Sequence, residues 1–169
     1  MVAQVRHVFR VLKRGVLFLC VALGCRSSSS TSQHESAPAA SAPAKLRTLA
    51  APPGESALTL VQREAARERA EGRTLLIYVG ATWCEPCQRF HAAAASGQLD
   101  VQFPKLSLLE FDRDRDEARL AEAGCLSQFI PLFAVPDASG HCSARQVQGS
   151  IKGDGAVAEI TPRLRQLLE

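Results

Sequence analysis

Two cysteines, Cys84 and Cys87, stand two residues apart in the run Trp83-Cys84-Glu85-Pro86-Cys87, just past the apolar residues 75 to 79. The backbone N–H groups at a helix start lack intrahelical partners and carry partial positive charge. A thiolate placed there is stabilised, so its pKa falls and it becomes nucleophilic near neutral pH. Cys84 would attack a substrate disulfide and form a mixed disulfide. Cys87, one helical turn on, would reach back and resolve it. Pro86 suits the first helical turn, where its missing N–H costs little. Trp83 can cover the pair and shape a docking surface. Glu85 reads either as a proton carrier or as a solvated acid favoured by the helix dipole. A carboxylate beside Cys84 opposes thiolate formation, which argues against a strongly oxidising site.

Such a pair needs a rigid frame, and the flanking sequence supplies one. Residues 74 to 79 form a continuous apolar, β-rich run, as expected of a strand covered on both faces. A helix is expected before it, over residues 56 to 72, with Leu58, Val61 and Ala65 on one face and Gly72 as its stop. Residues 85 to 95 read as a helix, 106 to 112 as a strand, 114 to 123 as a short helix and 131 to 136 as a strand. Asp137 to Gly140 make a turn, 144 to 150 a half-exposed strand and 155 to 168 a closing helix. Strands alternating with helices imply parallel pairing, and the last two strands, joined by a turn, must pair antiparallel. The expected fold is α/β, a mixed four-stranded sheet flanked by helices and built from residues 55 to 169.

With these elements in place, the run YVGATWCEPCQRF resembles the active site of the thioredoxin superfamily. Ile130-Pro131, followed by LFAVP and the turn DASG, resembles that family's cis-proline strand and hairpin, and Gly149 resembles its late glycine. The resemblance spans roughly residues 56 to 169. It implies a thioredoxin fold and thiol–disulfide exchange, with Cys84 as nucleophile and Cys87 resolving. It also implies that Pro131 faces the pair, with Ile130 pairing with substrate backbone. The WCEPC form resembles membrane-tethered extracytoplasmic proteins that keep exported thiols reduced, which implies protein disulfide substrates and a membrane electron donor. Two departures bear on proton transfer. Tyr78 stands where thioredoxins hold a buried acid, and Leu108 where they hold its neighbouring lysine. Glu85 could take over that role, and Glu110 is a more distant candidate.

Other cysteines and acids admit several readings. Of six cysteines, Cys20 and Cys25 belong to the N-terminus, which leaves Cys125 and Cys142 beside the central pair. These two could form a structural disulfide or stand as auxiliary thiols. The coarse topology places Cys125 near the beginning of the third strand and Cys142 opposite its end. His91, four residues after Cys87 on the same helical face, admits a copper- or zinc-binding reading with Cys84 and Cys87. No resident metal or cofactor is expected. Residues 112 to 116 alternate acids as a calcium loop does, but Glu117 and Ala123 break that pattern, so a solvated strand-to-helix connection is expected.

The N-terminus sets the compartment. Arg6, Arg10, Lys13 and Arg14 precede a short apolar core, residues 15 to 24, in a segment without acids. That core is shorter than the roughly 20 apolar residues a membrane span needs, so residues 1 to 24 read as an export signal. The ending Ala22-Leu23-Gly24-Cys25 resembles a bacterial lipobox, which implies lipidation of Cys25. A plain secretory signal and an uncleaved anchor are the alternatives. Residues 25 to 54, rich in Ser, Ala and Pro, read as a flexible tether. The chain carries a formal charge of +3, but without the four basic residues of the signal 16 basic face 17 acidic side chains. A near-neutral chain has no footprint for nucleic acid. The expectation is a monomeric lipoprotein of the bacterial envelope, facing the periplasm. A disulfide oxidase or isomerase, a metallochaperone-like module and a redox-inactive interaction domain stand as rivals.

Overall fold

The strand that precedes the cysteines lies at the centre of the sheet. In the computed structural model, which describes residues 44–169, β2 (Thr74–Gly80) is buried from Leu75 onward. From Leu75 to Val79 its side chains are apolar but for the Tyr78 hydroxyl, so both faces must be covered. The other elements are β1 (Arg47–Ala50), α1 (Ala57–Ala70), α2 (Glu85–Ala95), β3 (Leu106–Asp112), α3 (Glu117–Glu122), β4 (Leu132–Pro136), β5 (Cys142–Gln148) and α4 (Ala156–Leu168). The sheet order is β1-β3-β2-β4-β5. β1 and β2 flank β3 in parallel, and β4 runs antiparallel to both β2 and β5.

Alternation along the central strands builds two cores. Leu75, Ile77 and Val79 pack with Leu109, Phe111 and residues of α1 and α3 on one face. Leu76 and Tyr78 pack with Leu108, Phe90 of α2, and Ile160 and Leu164 of α4 on the other. At the centre of the second core, Phe133 sits between Tyr78 and Phe90, with ring centroids 5.1 and 4.9 Å away. Fully burying each such side chain contributes about 1.5–3 kcal/mol. The mixed sheet, the helices on both faces and the cysteine pair directly after the central strand make this a thioredoxin-like fold.

The sheet has five strands where four were expected. The fifth, β1, lies inside the segment read as tether, so the folded part begins at or before Leu46 rather than at Glu55. Four residues beside a Pro-rich stretch carry too little periodicity to be read from sequence. They become a strand because β3 offers an open edge, and Arg47 to Ala50 pair in register with Ser107 to Glu110. The signal segment, Cys25 and the rest of the tether lie outside the described residues. Among the described residues no helix is long and apolar enough to cross a membrane.

Local departures have local causes. The inner face of α1 is Ala57, Leu60 and Val61, with Leu58 and Ala65 only partly buried. Glu68, on the same helix, is buried with its carboxylate held by Arg47 at 3.1 Å, Arg73 at 3.1 Å and the Ser107 hydroxyl. Arg73 also donates to the Lys45 and Leu106 carbonyls, at 2.8 and 2.6 Å. One buried acid therefore ties the end of α1 to three strands, which a hydrophobic pattern cannot reveal. α3 spans 117–122, shorter than expected, because Asp112 to Asp116 form a turn first. β5 begins at Cys142, two residues early, because Pro136 pairs with Cys142 across the hairpin, past an irregularity between Ala134 and Pro136.

Candidate active site

Cys84 is the N-cap residue of α2, extended at φ −82° and ψ 104°, and its Sγ accepts the Cys87 N–H at 3.3 Å. Pro86 occupies the first turn. Cys84 and Cys87 are joined as a disulfide with Cα atoms 5.2 Å apart, and both are buried. The same helix-start geometry that closes the disulfide would hold a Cys84 thiolate against unsatisfied N–H groups once the bond opens. Across the fold, the Ile130 carbonyl oxygen lies 3.8 Å from Cys84 Sγ, and the Ile130–Pro131 peptide is cis. Ile130 packs against the cysteine cluster formed with Ala81. Gly149 closes this wall: its N–H donates to the Pro131 carbonyl at 2.9 Å, and at φ +69° a Cβ there would lie 3.0 Å from Phe129 Cβ.

Trp83 is exposed and anchored at one end, its indole N–H donating to Asp114 Oδ2 at 2.7 Å. Glu85 is engaged away from proton carriage. Its carboxylate accepts from Arg89 Nε at 3.0 Å and from the Gly153 N–H at 3.2 Å. Arg89 in turn pairs with Asp154 at 2.5 Å. The positive partner offsets the charge that was expected to oppose a Cys84 thiolate, so Glu85 no longer argues for either redox direction.

Behind Cys87 lies a cavity of about 570 Å³, lined among others by Ala50, Tyr78, Gly80, Cys87, His91 and Glu110. Tyr78 and Glu110 are direct neighbours across β2 and β3. Burial, reinforced by the Glu110 charge, pushes the Tyr78 hydroxyl well above its ordinary pKa, so it stays protonated. A Cβ at Gly80 would meet the Tyr78 hydroxyl at 2.7 Å, so the glycine leaves the space this ring occupies. His91 Nε2 lies 2.9 Å from the Glu110 carboxylate. Among the described residues no group of three or more His, Cys, Asp or Glu side chains is placed to hold a metal.

The connection after β3 is a clasp, not a solvated loop. Asp116 is buried and accepts from Arg115, Arg119 and the Asp112 N–H, all at 2.8 Å. Burial alone would raise its carboxyl, but the hydrogen bonds from Arg115, Asp112 and Arg119 outweigh it and hold the pKa below the usual range. Asp114, at the exposed tip, is the residue that holds Trp83.

Cys125 and Cys142 are also joined, with Cα atoms 5.2 Å apart. The order of elements alone puts them at opposite ends of β4. In fact the Cys142 N–H bonds to the Ala123 carbonyl at 3.0 Å, which sets the end of α3 against the start of β5. Residues 126–130 then travel the length of β4 before reaching Pro131. A five-residue strand spans roughly 15 Å, so this second disulfide sits a strand-length from Cys84.

Sequence reasoning placed Cys84, Cys87, Trp83, Pro86, Ile130 and Pro131 around one point, and the structure brings them together. It missed Asp114 and the contact between His91 and Glu110. The alternating acids after β3 were the available signal for the first. For the second, only the pairing of β2 with β3 under α2 could have shown it.

No family model matches the chain, and no curated protein matches it. Among solved structures it is similar to thioredoxin O1 from Arabidopsis thaliana in the oxidised state. That match has 16% identity and a TM-score of 0.46, and covers 74% of this chain and 99% of that one. It is also similar to a wild-type poplar thioredoxin h, at 14% identity and a TM-score of 0.45, covering 74% and 97% of the two chains.

Proposed function

We propose that this chain is an extracytoplasmic thiol–disulfide oxidoreductase that reduces disulfides of exported proteins. The observation that supports thiol–disulfide exchange is the Cys84–Cys87 pair at the N-terminus of α2, with Cys84 Sγ facing the Ile130 carbonyl beside Pro131. In the reduced protein the Cys84 thiolate attacks one sulfur of a substrate disulfide. A Cys84–substrate disulfide forms and the first substrate thiolate leaves. Cys87 then loses its proton and attacks Cys84 Sγ, which closes the Cys84–Cys87 bond and releases the second substrate thiolate. Substrate is reduced by two electrons, and the pair is oxidised by two. A membrane electron donor restores the dithiol, and no resident cofactor takes part. Trp83, Ile130 and Pro131 form the wall against which the substrate chain lies.

The basic and then apolar character of residues 1–24 and the lipobox-like ending at Cys25 support tethering to the bacterial envelope, facing the periplasm, and the near-neutral remainder supports protein thiols over nucleic acid as partners; the reading takes the chain as a monomer. The WCEPC resemblance supports the reducing direction. The reduction potential of the Cys84–Cys87 pair tests it, by equilibration in thiol buffers followed by alkylation and mass measurement. A value near −270 mV, about that of thioredoxin, is expected. A value near −120 mV, about that of dedicated oxidants, would reverse the direction. Absence of any exchange with a model disulfide would remove the activity altogether.

A further inference from the structure

Exchange chemistry leaves one proton without a destination. Cys84 is eased toward the thiolate by the helix start, but Cys87, buried a turn further in, must also lose its proton before it can resolve the mixed disulfide. Glu85 is taken up by Arg89 and Gly153. Tyr78, which lines the space behind Cys87, is held protonated. Asp112 accepts the N–H groups of Asp114 and Arg115, and Arg115 is paired with Asp116. Of the titratable groups that line the cavity from β2, β3, α2 and the connection after β3, this leaves Glu110 with its partner His91.

We propose that Glu110, held in place by His91, accepts the Cys87 proton through water in the cavity. The inference rests on the oxidoreductase reading and assigns the acceptor for its resolving step. The geometry follows from pairing. Tyr78 opposite Glu110 and Gly80 opposite Asp112 put both strands' residues on the α2 side of the sheet. α2 lays Cys87 and His91 over that surface on consecutive turns. Cys87, His91 and Glu110 therefore border one cavity of about 570 Å³, ample for water. Glu110 is mostly covered, with a side-chain exposure of 17%, while His91 at 50% closes the outer side. β1 contributes Ala50 to the same wall, which is why the edge strand matters to the site. A base one water away from the group it deprotonates is within working range. In the step, the Cys87 S–H proton passes to a cavity water and that water's proton to Glu110. The Cys87 thiolate forms the bond to Cys84 Sγ, and the substrate thiolate departs with the electron pair of the broken disulfide.

The test uses the full-length chain with Cys20, Cys25, Cys125 and Cys142 replaced by Ser, so that Cys84 and Cys87 are the only thiols, reduced and mixed with 5,5′-dithiobis(2-nitrobenzoate) in stopped flow. Each thionitrobenzoate released is counted by its absorbance. The first phase reports attack by Cys84 and the second reports resolution by Cys87. In Glu110→Gln near pH 7 the second phase should slow by about tenfold or more while the first is unchanged. The gap should close above roughly pH 9, where a thiol ionises unaided. Glu110→Asp should recover part of the rate. His91→Ala, at a half-exposed helix position, should slow the second phase less than Glu110→Gln and carries the same test should that variant fail to fold. An unchanged second phase in these variants overturns the proposal. So does equal slowing of both phases, or slowing that persists at high pH, since either marks a structural effect. Failure of this parent chain to release any thionitrobenzoate would instead overturn the oxidoreductase reading itself.

Discussion

Cys84 and Cys87 have nearly the same burial but different surroundings, and their substitutions should separate. Cys84→Ser should abolish exchange, since Cys84 is the N-cap thiol that makes the first attack. Cys87→Ser should keep the first attack and stop there, leaving a mixed disulfide on Cys84 that intact-protein mass spectrometry detects. Trp83 is the only tryptophan in the chain, so its fluorescence reports the site directly. Asp114→Asn replaces a charged acceptor by a neutral one and should weaken the hold on the indole by about 0.5–1.5 kcal/mol. The expected outcome is lower tryptophan anisotropy and a raised KM for a protein disulfide with kcat little changed; unchanged anisotropy would show that Asp114 does not restrain the ring. Cys84, Cys87, Trp83 and Pro86 were legible because their chemistry is written in adjacent positions. Asp114 and the pairing of His91 with Glu110 were not, because each contact joins residues far apart in the chain.

At the scale of elements, the connection between β3 and α3 makes the clearest pH prediction. The Asp116 carboxyl is depressed in the folded state, so its stabilisation is present above the unfolded carboxylate pKa of about 4. It is lost as pH falls through the lower folded value. Asp116→Asn should therefore lower stability at neutral pH, by about 1–3 kcal/mol for a buried group that loses charged hydrogen bonds. The difference from the native chain should shrink as acid protonates Asp116, which urea unfolding at pH 7 and in acid would show. The second disulfide belongs to the same scale. It closes a loop across a separation of 17 residues, for which chain entropy suggests about 3 kcal/mol. Replacing both Cys125 and Cys142 by Ala should lower Tm in a thermal melt while leaving the reduction potential of the Cys84–Cys87 pair unchanged. A shifted potential would mean that the two disulfides communicate despite lying a strand-length apart.

Across the whole molecule, the extent of the folded part is decided by β1. Deleting everything before Glu55 removes a strand, uncovers the edge of β3 and takes Arg47 away from the buried Glu68. Such a truncation should be markedly less stable than a chain beginning before residue 44, with a lower denaturation midpoint in guanidinium, and should resolve mixed disulfides more slowly because Ala50 no longer walls the cavity. By itself, the sequence determined the α/β class, the burial of the 74–79 strand on both faces and the cysteine pair at a helix start. Each of these is encoded locally, in apolar runs that must be buried and in cysteines spaced for one helical turn. Tertiary structure alone decided that residues 47–50 join the sheet, that Cys125 meets Cys142, that Glu68 and Asp116 are buried acids, and that Glu110 meets His91 behind Cys87. Those outcomes depend on which strand edge is open and which side chains converge across the sheet, and no window along the chain contains both partners.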